Sequence, residues 1–221
     1  MNTRGRFGLA GLLVAASAVV GLVAAPDLPA RMATHWNAAG VPDGTMPRTV
    51  ALVFLPAIAA GLLGLFALLP RIDPLGGNVA AFRPAYDGFV VALSAFLAAL
   101  HVGIVAFNLG YVFDFTLFVL AAVAGLFYCV GLLLEHVERN WFVGVRTPWT
   151  LSDERVWDRT HALAARLFKL SALVAVVGLA FGDYAIYFLL VPALGTAVVT
   201  VAYSYVLYAR LPDAGGEVAA R

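Results

Sequence analysis

Six stretches of about 20 nearly uncharged residues dominate this sequence, and an α-helix of that length crosses the roughly 30 Å hydrocarbon core of a bilayer. They run over residues 7–25, 49–69, 86–109, 112–134, 167–181 and 184–208. With 62% hydrophobic and 12% charged residues, the chain lies far from soluble domains, which are about 45–50% apolar and 25% charged. We therefore predict an all-α polytopic membrane protein with six transmembrane helices.

The cationic side chains are divided unevenly between the two sides of this predicted bundle. Of the 14 Lys and Arg residues, Arg31 and Arg48 fall on one side, and the other twelve, Arg221 included, fall on the opposite side. Because cytoplasmic loops carry the excess of Arg and Lys, both chain termini are predicted to be cytoplasmic. The first apolar run is longer than the 7–15 residues or so of a signal-peptide core, which favours a retained anchor in the cell membrane.

Only two connections are long enough to hold a functional site, namely residues 26–48 outside and residues 135–166 inside. Tight turns are predicted at Gly182-Asp183 and at Asn108–Gly110, because Gly, Asn and Asp favour turn conformations. We place a domain boundary after residue 69. Residues 1–69 then form a helical hairpin around the extracellular loop, and residues 70–221 form a four-helix region around the cytoplasmic loop.

The extracellular loop contains a compact polar motif between prolines that stop helix formation. The motif Thr34-His35-Trp36-Asn37 surrounds an indole with hydrogen-bonding side chains. Asp43-Gly44 is predicted to form a tight turn, and Gly40 can take a positive φ. Two interpretations stay open: a self-capped loop on the membrane surface with its Trp in the aromatic belt, or a site for an extracellular ligand.

The cytoplasmic loop combines Trp, Gly, Arg, Thr and Pro at unusual density. Gly144 permits close backbone approach, and Pro148 disfavours helix at the residue before it. Arg146 lies between aromatic residues and can act as a bidentate anion clamp or a cation–π partner. The alternative is a set of belt tryptophans, Trp141, Trp149 and Trp157, at headgroup depth beside a solvated charge run.

A helix is predicted to begin after this motif, with Thr150 or Ser152 as its N-cap. Trp157, His161 and Phe168 then share one face at helical spacing. Such a helix is amphipathic, lies in the membrane interface, and is expected to continue into the fifth span.

Four polar residues recur at intervals of seven in the third span: Asp87, Ser94, His101 and Asn108. Seven residues are close to two helical turns, so the four form a polar stripe down one face. Because polar groups in lipid are costly, the polar stripe is expected to face the bundle interior. The sixth span offers a partner face with Thr196, Thr200 and Tyr203, and Ser204 lies nearby. It is either helix–helix glue or a line that senses protons or a ligand.

Several function classes find no support in the sequence. It contains no GxSxG, HExxH or Walker motif, so we identify no catalytic residue. Neither His35 with Asn37 and Asp43 nor the segment from Glu135 to Glu138 follows a known ligand spacing, so no metal or cofactor is predicted. A net charge of +1 gives no basic field for direct nucleic-acid binding. Cys129 is the only cysteine and cannot form an internal disulfide.

Both loops resemble segments of known families. Leu28-Pro29, Thr34 to Asn37, Gly40 and Pro42-Asp43-Gly44 together resemble a short bacterial and archaeal domain of unknown function. The cytoplasmic motif resembles the signature of the SdpI family, which comprises immunity proteins against the sporulation-delaying-protein toxin. The residues that match this signature are Trp141, Gly144, Arg146, Thr147, Pro148, Trp149, Trp157 and His161.

The resemblance implies a membrane-embedded, non-enzymatic protein that senses or neutralises an extracellular peptide toxin and relays this to a cytoplasmic repressor. Membrane lipids are the remaining partner. His35, Trp36, Asn37 and Asp43 are the expected residues for ligand engagement outside, and the signature residues are expected to serve the partner, the fold or the lipid interface inside. The open alternatives are a small transporter or channel that uses the polar stripe, and a lipid-modifying membrane enzyme.

Overall fold

The computed structural model describes residues 1–37 and 39–211, which are mostly α-helical. Long helices in this part of the chain are α1 (Thr3–Ala24), α2 (Arg48–Ile72), α4 (Arg83–Asn108), α5 (Phe115–Leu134), α7 (Glu154–Gly178) and α8 (Ala185–Ala209). Two short helices lie between them, α3 (Gly76–Ala81) and α6 (Pro148–Ser152). Each long helix contains most of one predicted apolar run. Arg221, which is predicted to be cytoplasmic, lies outside the described residues.

Five segments of the described residues are long and apolar enough to cross a membrane: Thr3–Asp27, Arg48–Ile72, Arg83–Asn108, Phe115–Leu134 and Glu154–Ala209. The fifth is 56 residues long and contains both α7 and α8. Gly182 separates these two helices with a φ of 55°, which confirms the predicted turn there. The turn between α4 and α5 is confirmed by Gly110, whose φ is 89°. The six-span count stays a prediction.

The long helices run alternately up and down and pack in two groups. The α4 helix packs on α1 and α2, while α7 packs on α5 and α8, and the two groups meet where α4 contacts α5. We call the end that holds residues 25–48, 109–114 and 179–184 the hairpin end, and the end that holds residues 70–82 and 135–153 the signature end. The domain boundary after residue 69 stays a prediction. The α4 helix lies after this boundary in the sequence, but it packs on α1 and α2, which lie before the boundary.

The polar stripe of α4 faces the protein interior, as predicted. Asp87, Ser94 and His101 are buried, and Asn108 is partly buried. Asp87 pairs with Arg83 one turn earlier on the same helix, at 2.7 Å. Neutralising a buried carboxylate within its own helix removes much of the cost of placing it there.

The predicted pairing of the polar stripe with the sixth span is wrong. The polar face of α8 is turned to α7 and to α6 instead. Thr196 lies 3.1 Å from Ser171 of α7, and Ser204 lies 3.3 Å from Thr147, the residue that caps α6. Spacing along a helix predicted which residues share a face, but it carried no information about which helix that face would meet.

A two-stranded antiparallel sheet corrects the all-α prediction at the hairpin end. Strand β1 (Arg31–Trp36) pairs with β2 (Pro42–Pro47), and we call the two strands and their turn the hairpin. The predicted turn at Asp43-Gly44 is wrong, because both residues lie within β2. The chain reverses between Asn37 and Val41, where Gly40 takes the predicted positive φ, at 74°.

The close packing of α7 on α8 depends on Gly178. A Cβ at that position would lie 2.3 Å from the Cβ of Phe188. We therefore expect Gly178→Ala to lower the free energy of unfolding by roughly 1–3 kcal/mol, as overpacking does elsewhere, measured by denaturation in detergent micelles. Gly195→Ala in α8 is the matched control, since a Cβ there meets no atom within 4 Å. Equal stability of the two variants would contradict this packing.

Candidate functional site

The loop between α5 and α7, residues 135–153, is folded around one buried side chain. We call it the signature loop. Asn140 is fully buried, and its Oδ1 accepts hydrogen bonds from the amides of Phe142 and Val143, at 2.9 and 2.7 Å. Its Nδ2 donates to the carbonyls of Glu138 and Val143, at 2.8 and 3.0 Å. Because this satisfies the donors and acceptors of the carboxamide, a single asparagine holds the non-helical backbone in place.

His161 attaches the signature loop to α7. Its Nε2 accepts a hydrogen bond from the amide of Val145 at 2.9 Å, and its Nδ1 lies 2.8 Å from the carbonyl of Trp157. These partners require the neutral tautomer with its proton on Nδ1. Gly144 has a φ of 115°, and a Cβ there would lie 2.3 Å from the Nε2 of His161. The predicted close backbone approach at Gly144 is therefore confirmed, and His161 is the group that approaches.

Trp157 is a core residue, so its predicted position in the aromatic belt is wrong. The side chain is fully buried, and its indole nitrogen donates to the carbonyl of Val137 at 2.9 Å. Its ring stacks on His161 with centroids 4.0 Å apart. The predicted shared face of α7 is correct, but this face meets the signature loop and α5 rather than lipid.

The two helix starts near the loop are capped by residues other than the predicted ones. Thr147 caps α6 in a reciprocal arrangement with Thr150, and Asp153 caps α7 through the amides of Arg155 and Val156. Pro148 occupies the first position of α6, where its missing N–H costs nothing. Trp149 on α6 meets Tyr205 of α8 edge to face, with centroids 5.1 Å apart. Together with the Thr147–Ser204 contact, this attaches the signature loop to α8.

The Arg155 side chain lowers the pKa of Asp153 below its ordinary value, and the helix amides act in the same direction. A carboxyl whose pKa is lowered by folding stabilises the fold above its unfolded-state pKa. That contribution is lost as the pH falls through the lower, folded-state value. Acid therefore weakens the start of α7 at the point where the signature loop ends.

The exposed side chains of the signature loop include Trp141, Phe142 and Arg146. Arg146 donates a hydrogen bond to the carbonyl of Trp141. Among the described residues the cation–π geometry belongs to Arg83, which lies over the rings of Phe7 and Tyr86, so this role is wrong for Arg146. The anion-clamp role of Arg146 stays a prediction.

The signature loop is also bound to the segment after α2. Asp73, a buried carboxylate, accepts the amide of Trp141 at 3.2 Å and the amide of Leu75 at 2.7 Å. Asn78 of α3 donates to the carbonyl of Arg139 at 2.6 Å. These contacts join the two helix groups at the signature end. Neither side chain was predicted to contact the signature loop, because turn residues such as Asp73-Pro74 indicate a loop but not its distant partner.

At the hairpin end, Asn108 holds the hairpin to α4. Its Oδ1 accepts the amide of Ala33 at 2.8 Å, and its Nδ2 donates to the carbonyl of Ala33 at 3.0 Å. The side chain therefore hydrogen-bonds β1 as a neighbouring strand would. Asn108, the last residue of the polar stripe, therefore has β1 as its partner.

Trp36 packs against protein rather than lying in the aromatic belt. Its ring stacks on Phe115 with centroids 3.8 Å apart, and it meets Phe107 edge to face at 5.1 Å. The hairpin thus rests on the junction between α4 and α5. Nothing in the local sequence signalled Phe115 as the partner.

The structure brings only part of the predicted extracellular site together. His35 and Asp43 face each other across the two strands, with Nδ1 and Oδ1 2.5 Å apart, and both side chains are exposed. Asn37 serves the turn instead, since its Oδ1 accepts the amides of Ala39 and Val41. No group of three or more His, Cys, Asp or Glu side chains suited to a metal occurs in residues 1–37 and 39–211.

His101, in the middle of the polar stripe, lies wedged between α1 and α2. A Cβ on Gly21 of α1 would lie 2.9 Å from its ring and 3.1 Å from Leu52 of α2. Neither ring nitrogen has a hydrogen-bond partner among the described residues. Gly21 therefore provides the space that allows α4 to carry a histidine at this depth.

Comparison with known proteins gives matches in both halves of the chain. Residues 136–204 match the SdpI/YfhL protein family, and residues 12–60 match a domain of unknown function (DUF1648). The chain is also similar to the immunity protein SdpI of Bacillus subtilis (strain 168). The two are 24% identical over 202 residues, which cover 90% of this chain and 94% of the relative. No solved structure matches the chain.

These matches confirm the resemblance to the SdpI family that the two motifs indicated. Together with the apolar helices, they establish a multi-pass protein of the cell membrane.

The contact of His161 with Gly144 predicts coupled effects on stability. His161→Ala removes the acceptor for Val145 and leaves a cavity beside Trp157, so we expect the free energy of unfolding to fall by about 2–4 kcal/mol. Gly144→Ala also destabilises, and the part of its cost that comes from the clash disappears in the double variant, because the clash needs the imidazole. The part that comes from the positive φ of residue 144 remains. Denaturation of all three variants in detergent measures the coupling.

The control for this cycle is Arg159→Ala, an exposed change on the same helix, which should stay within about 0.5 kcal/mol of the unmodified protein. Strictly additive effects of the two single substitutions would contradict a direct contact between residues 144 and 161.

Proposed function

We propose that this chain, whose second half matches the SdpI family, is a membrane immunity protein that neutralises an extracellular peptide toxin. The observation that carries the proposal is the similarity to the immunity protein SdpI of Bacillus subtilis along 90% of the chain and 94% of the relative. Similarity over that length extends beyond the two segments, residues 12–60 and 136–204, that match family models. We assign no catalytic role to any residue.

The proposed topology has six spans, with the hairpin outside and both termini in the cytoplasm. The 25 residues of α7 and the 25 residues of α8 are each long enough to cross a bilayer, and Gly182 lets the chain reverse between them. Both cations on the proposed outer side have partners in the loop: Arg31 donates to Thr45, and Arg48 donates to the carbonyls of Ala25 and Leu28. The excess of cations at the signature end supports this orientation.

The hairpin is the proposed contact for the toxin. His35 and Asp43 form an exposed pair on it, while Asn108 and Trp36 hold the hairpin against the helices. A peptide that bound the exposed face would therefore act on a rigid element whose attachment is to α4 and α5. Only part of the predicted polar motif serves this contact. Asn37 does not, because its side chain accepts a hydrogen bond within the turn of the hairpin.

A relay to the cytoplasm would pass along α4. Its outer end holds the hairpin through Asn108, and its inner end follows α3, whose Asn78 is hydrogen-bonded to the signature loop. Relay also requires that the bundle have two arrangements, one of which the toxin favours. In this proposal the exposed residues Trp141, Phe142 and Arg146 form the surface for a cytoplasmic repressor, while Gly144, Thr147, Trp157 and His161 hold that surface in shape.

The structure favours this proposal over the two alternatives. The polar stripe is packed between helices, and its carboxylate is neutralised by Arg83, whereas a conducting path needs polar groups that line a cavity open to water. A lipid-modifying enzyme would use His161 and Arg146, but His161 is buried with both ring nitrogens engaged by backbone groups.

The orientation predicts which sites an impermeant thiol reagent reaches on intact cells. In a Cys129→Ser background, Val41→Cys at the exposed tip of the hairpin should react, and Arg159→Cys on α7 should react only after lysis. Labelling detected by gel shift measures both. The opposite pattern would place the hairpin in the cytoplasm and overturn the proposed site of toxin contact.

The function itself is tested by survival of toxin-sensitive cells that express this chain during challenge with the sporulation-delaying-protein toxin. We expect protection, which Asn108→Ala and His35→Ala reduce because they alter the attachment and the exposed face of the hairpin. Arg146→Ala should leave survival unchanged, since it affects only the proposed cytoplasmic surface. Thr49→Ala, an exposed change at the start of α2, is the control. Membrane levels are compared by immunoblotting, and equal levels without protection would overturn immunity to this toxin.

A further inference from the structure

An apolar cavity of about 540 Å³ lies beneath the hairpin. Its walls come from four helices: Leu55 of α2, Leu100 and Ile104 of α4, Val119 of α5 and Ile186 of α8. Leu100 lies eight residues inside the end of α4, which corresponds to a depth of about 12 Å at 1.5 Å per residue. The cavity therefore lies at the depth of the acyl chains of the leaflet on the hairpin side.

The opening of the cavity is polar, whereas its walls are apolar. Thr34, His35 and Asn37 of the hairpin and Thr116 of α5 line it at the hairpin end. Asp43 is exposed and is paired with His35, which lines this rim. An apolar cavity with hydrogen-bonding groups at its upper edge matches a molecule with an alkyl chain and a polar head.

The indole of Trp36 supplies an independent indication of a ligand. Trp36 lines the cavity, and its Nε1–H is shielded from water yet has no acceptor among the described residues. Buried indole nitrogens normally find a hydrogen-bond acceptor. An ester oxygen of a glycerolipid is an acceptor that stands between an alkyl chain and a head group.

The charge at the hairpin end favours one class of head group. The segments at the hairpin end contain more carboxylates than guanidinium groups. The carboxylates are those of Asp27, Asp43, Asp114 and Asp183, and the guanidinium groups are those of Arg31 and Arg48. Both guanidinium groups are occupied, Arg31 by Thr45 and Arg48 by backbone carbonyls. An ammonium head group is therefore attracted to this rim. An anionic head group is not, because both guanidinium groups that could bind it already have other partners.

We propose that this cavity is a lipid site that holds one acyl chain of an ethanolamine phospholipid. The chain fills the space between Leu100, Ile104 and Val119, the ester region supplies the acceptor that Trp36 lacks, and the ammonium faces Asp43. The proposal does not depend on the immunity function, because it rests on the cavity, the indole and the charges at the rim.

The test uses quenching of Trp36 fluorescence by phospholipids with brominated acyl chains. The protein is placed in nanodiscs with increasing mole fractions of brominated phosphatidylethanolamine or phosphatidylglycerol, and the Trp36 signal is the difference from Trp36→Phe. We expect saturable quenching that favours the ethanolamine lipid by about two- to fivefold in apparent affinity, which is the size of an exposed charge pair. Asp43→Asn should abolish the preference.

Two variants separate the cavity from the surrounding bilayer. Ile104→Phe fills the cavity and should remove saturation, while Leu194→Phe on the exposed surface of α8 should leave it unchanged. Quenching that rises linearly with mole fraction, equal affinity for the two head groups, or saturation that persists in a folded Ile104→Phe variant would overturn the proposal. Protection of Trp36 from every brominated lipid would also overturn it and would indicate a different occupant, such as a peptide or a second copy of the chain.

Discussion

Non-helical backbone is the main difficulty for a chain this apolar, because lipid offers no hydrogen bonds to amides and carbonyls that leave a helix. Both ends of this bundle solve the difficulty with buried side chains that bond to backbone. Asn140 satisfies four backbone groups of the signature loop, His161 satisfies one more, and Asn108 satisfies the amide and the carbonyl of Ala33. The surfaces proposed to be functional at the two ends depend on these residues, which themselves face inward.

This organisation changes the interpretation of the signature. The motif residues divide into a buried set that shapes the loop and an exposed set that can meet a partner. Trp157 and His161 form a stacked pair under Gly144, and Thr147 begins α6. The exposed motif residues include Trp141 and Arg146, and Arg146 donates a hydrogen bond to the carbonyl of Trp141. A substitution in the buried set therefore changes the shape of the partner surface, although the substituted residue does not itself contact a partner.

The sequence was sufficient for features whose signal is local. The six apolar runs located the long helices, and intervals of seven located the polar stripe. Gly40, Gly110 and Gly182 were identified in turns, where the backbone takes a positive φ, and Gly144 was identified as a point of close backbone approach. Features that depend on distant contacts were missed. Asp73 meets the signature loop 68 residues away, and Asn78 meets it 61 residues away. The strands of the hairpin were also missed, because their proline-rich sequence has no alternation of apolar and polar residues.

The unequal lengths of the helices determine how this protein fits a membrane. The α5 helix has 20 residues and is about 30 Å long, whereas α4 has 26 and is about 39 Å long. Asp114 and Glu135 flank α5 directly and fix the hydrophobic thickness that this helix tolerates. A thicker bilayer would draw these carboxylates toward hydrocarbon, while α4 could respond to a thinner one by tilting. Hydrophobic mismatch at α5 thus makes bilayer thickness a determinant of where this protein is stable.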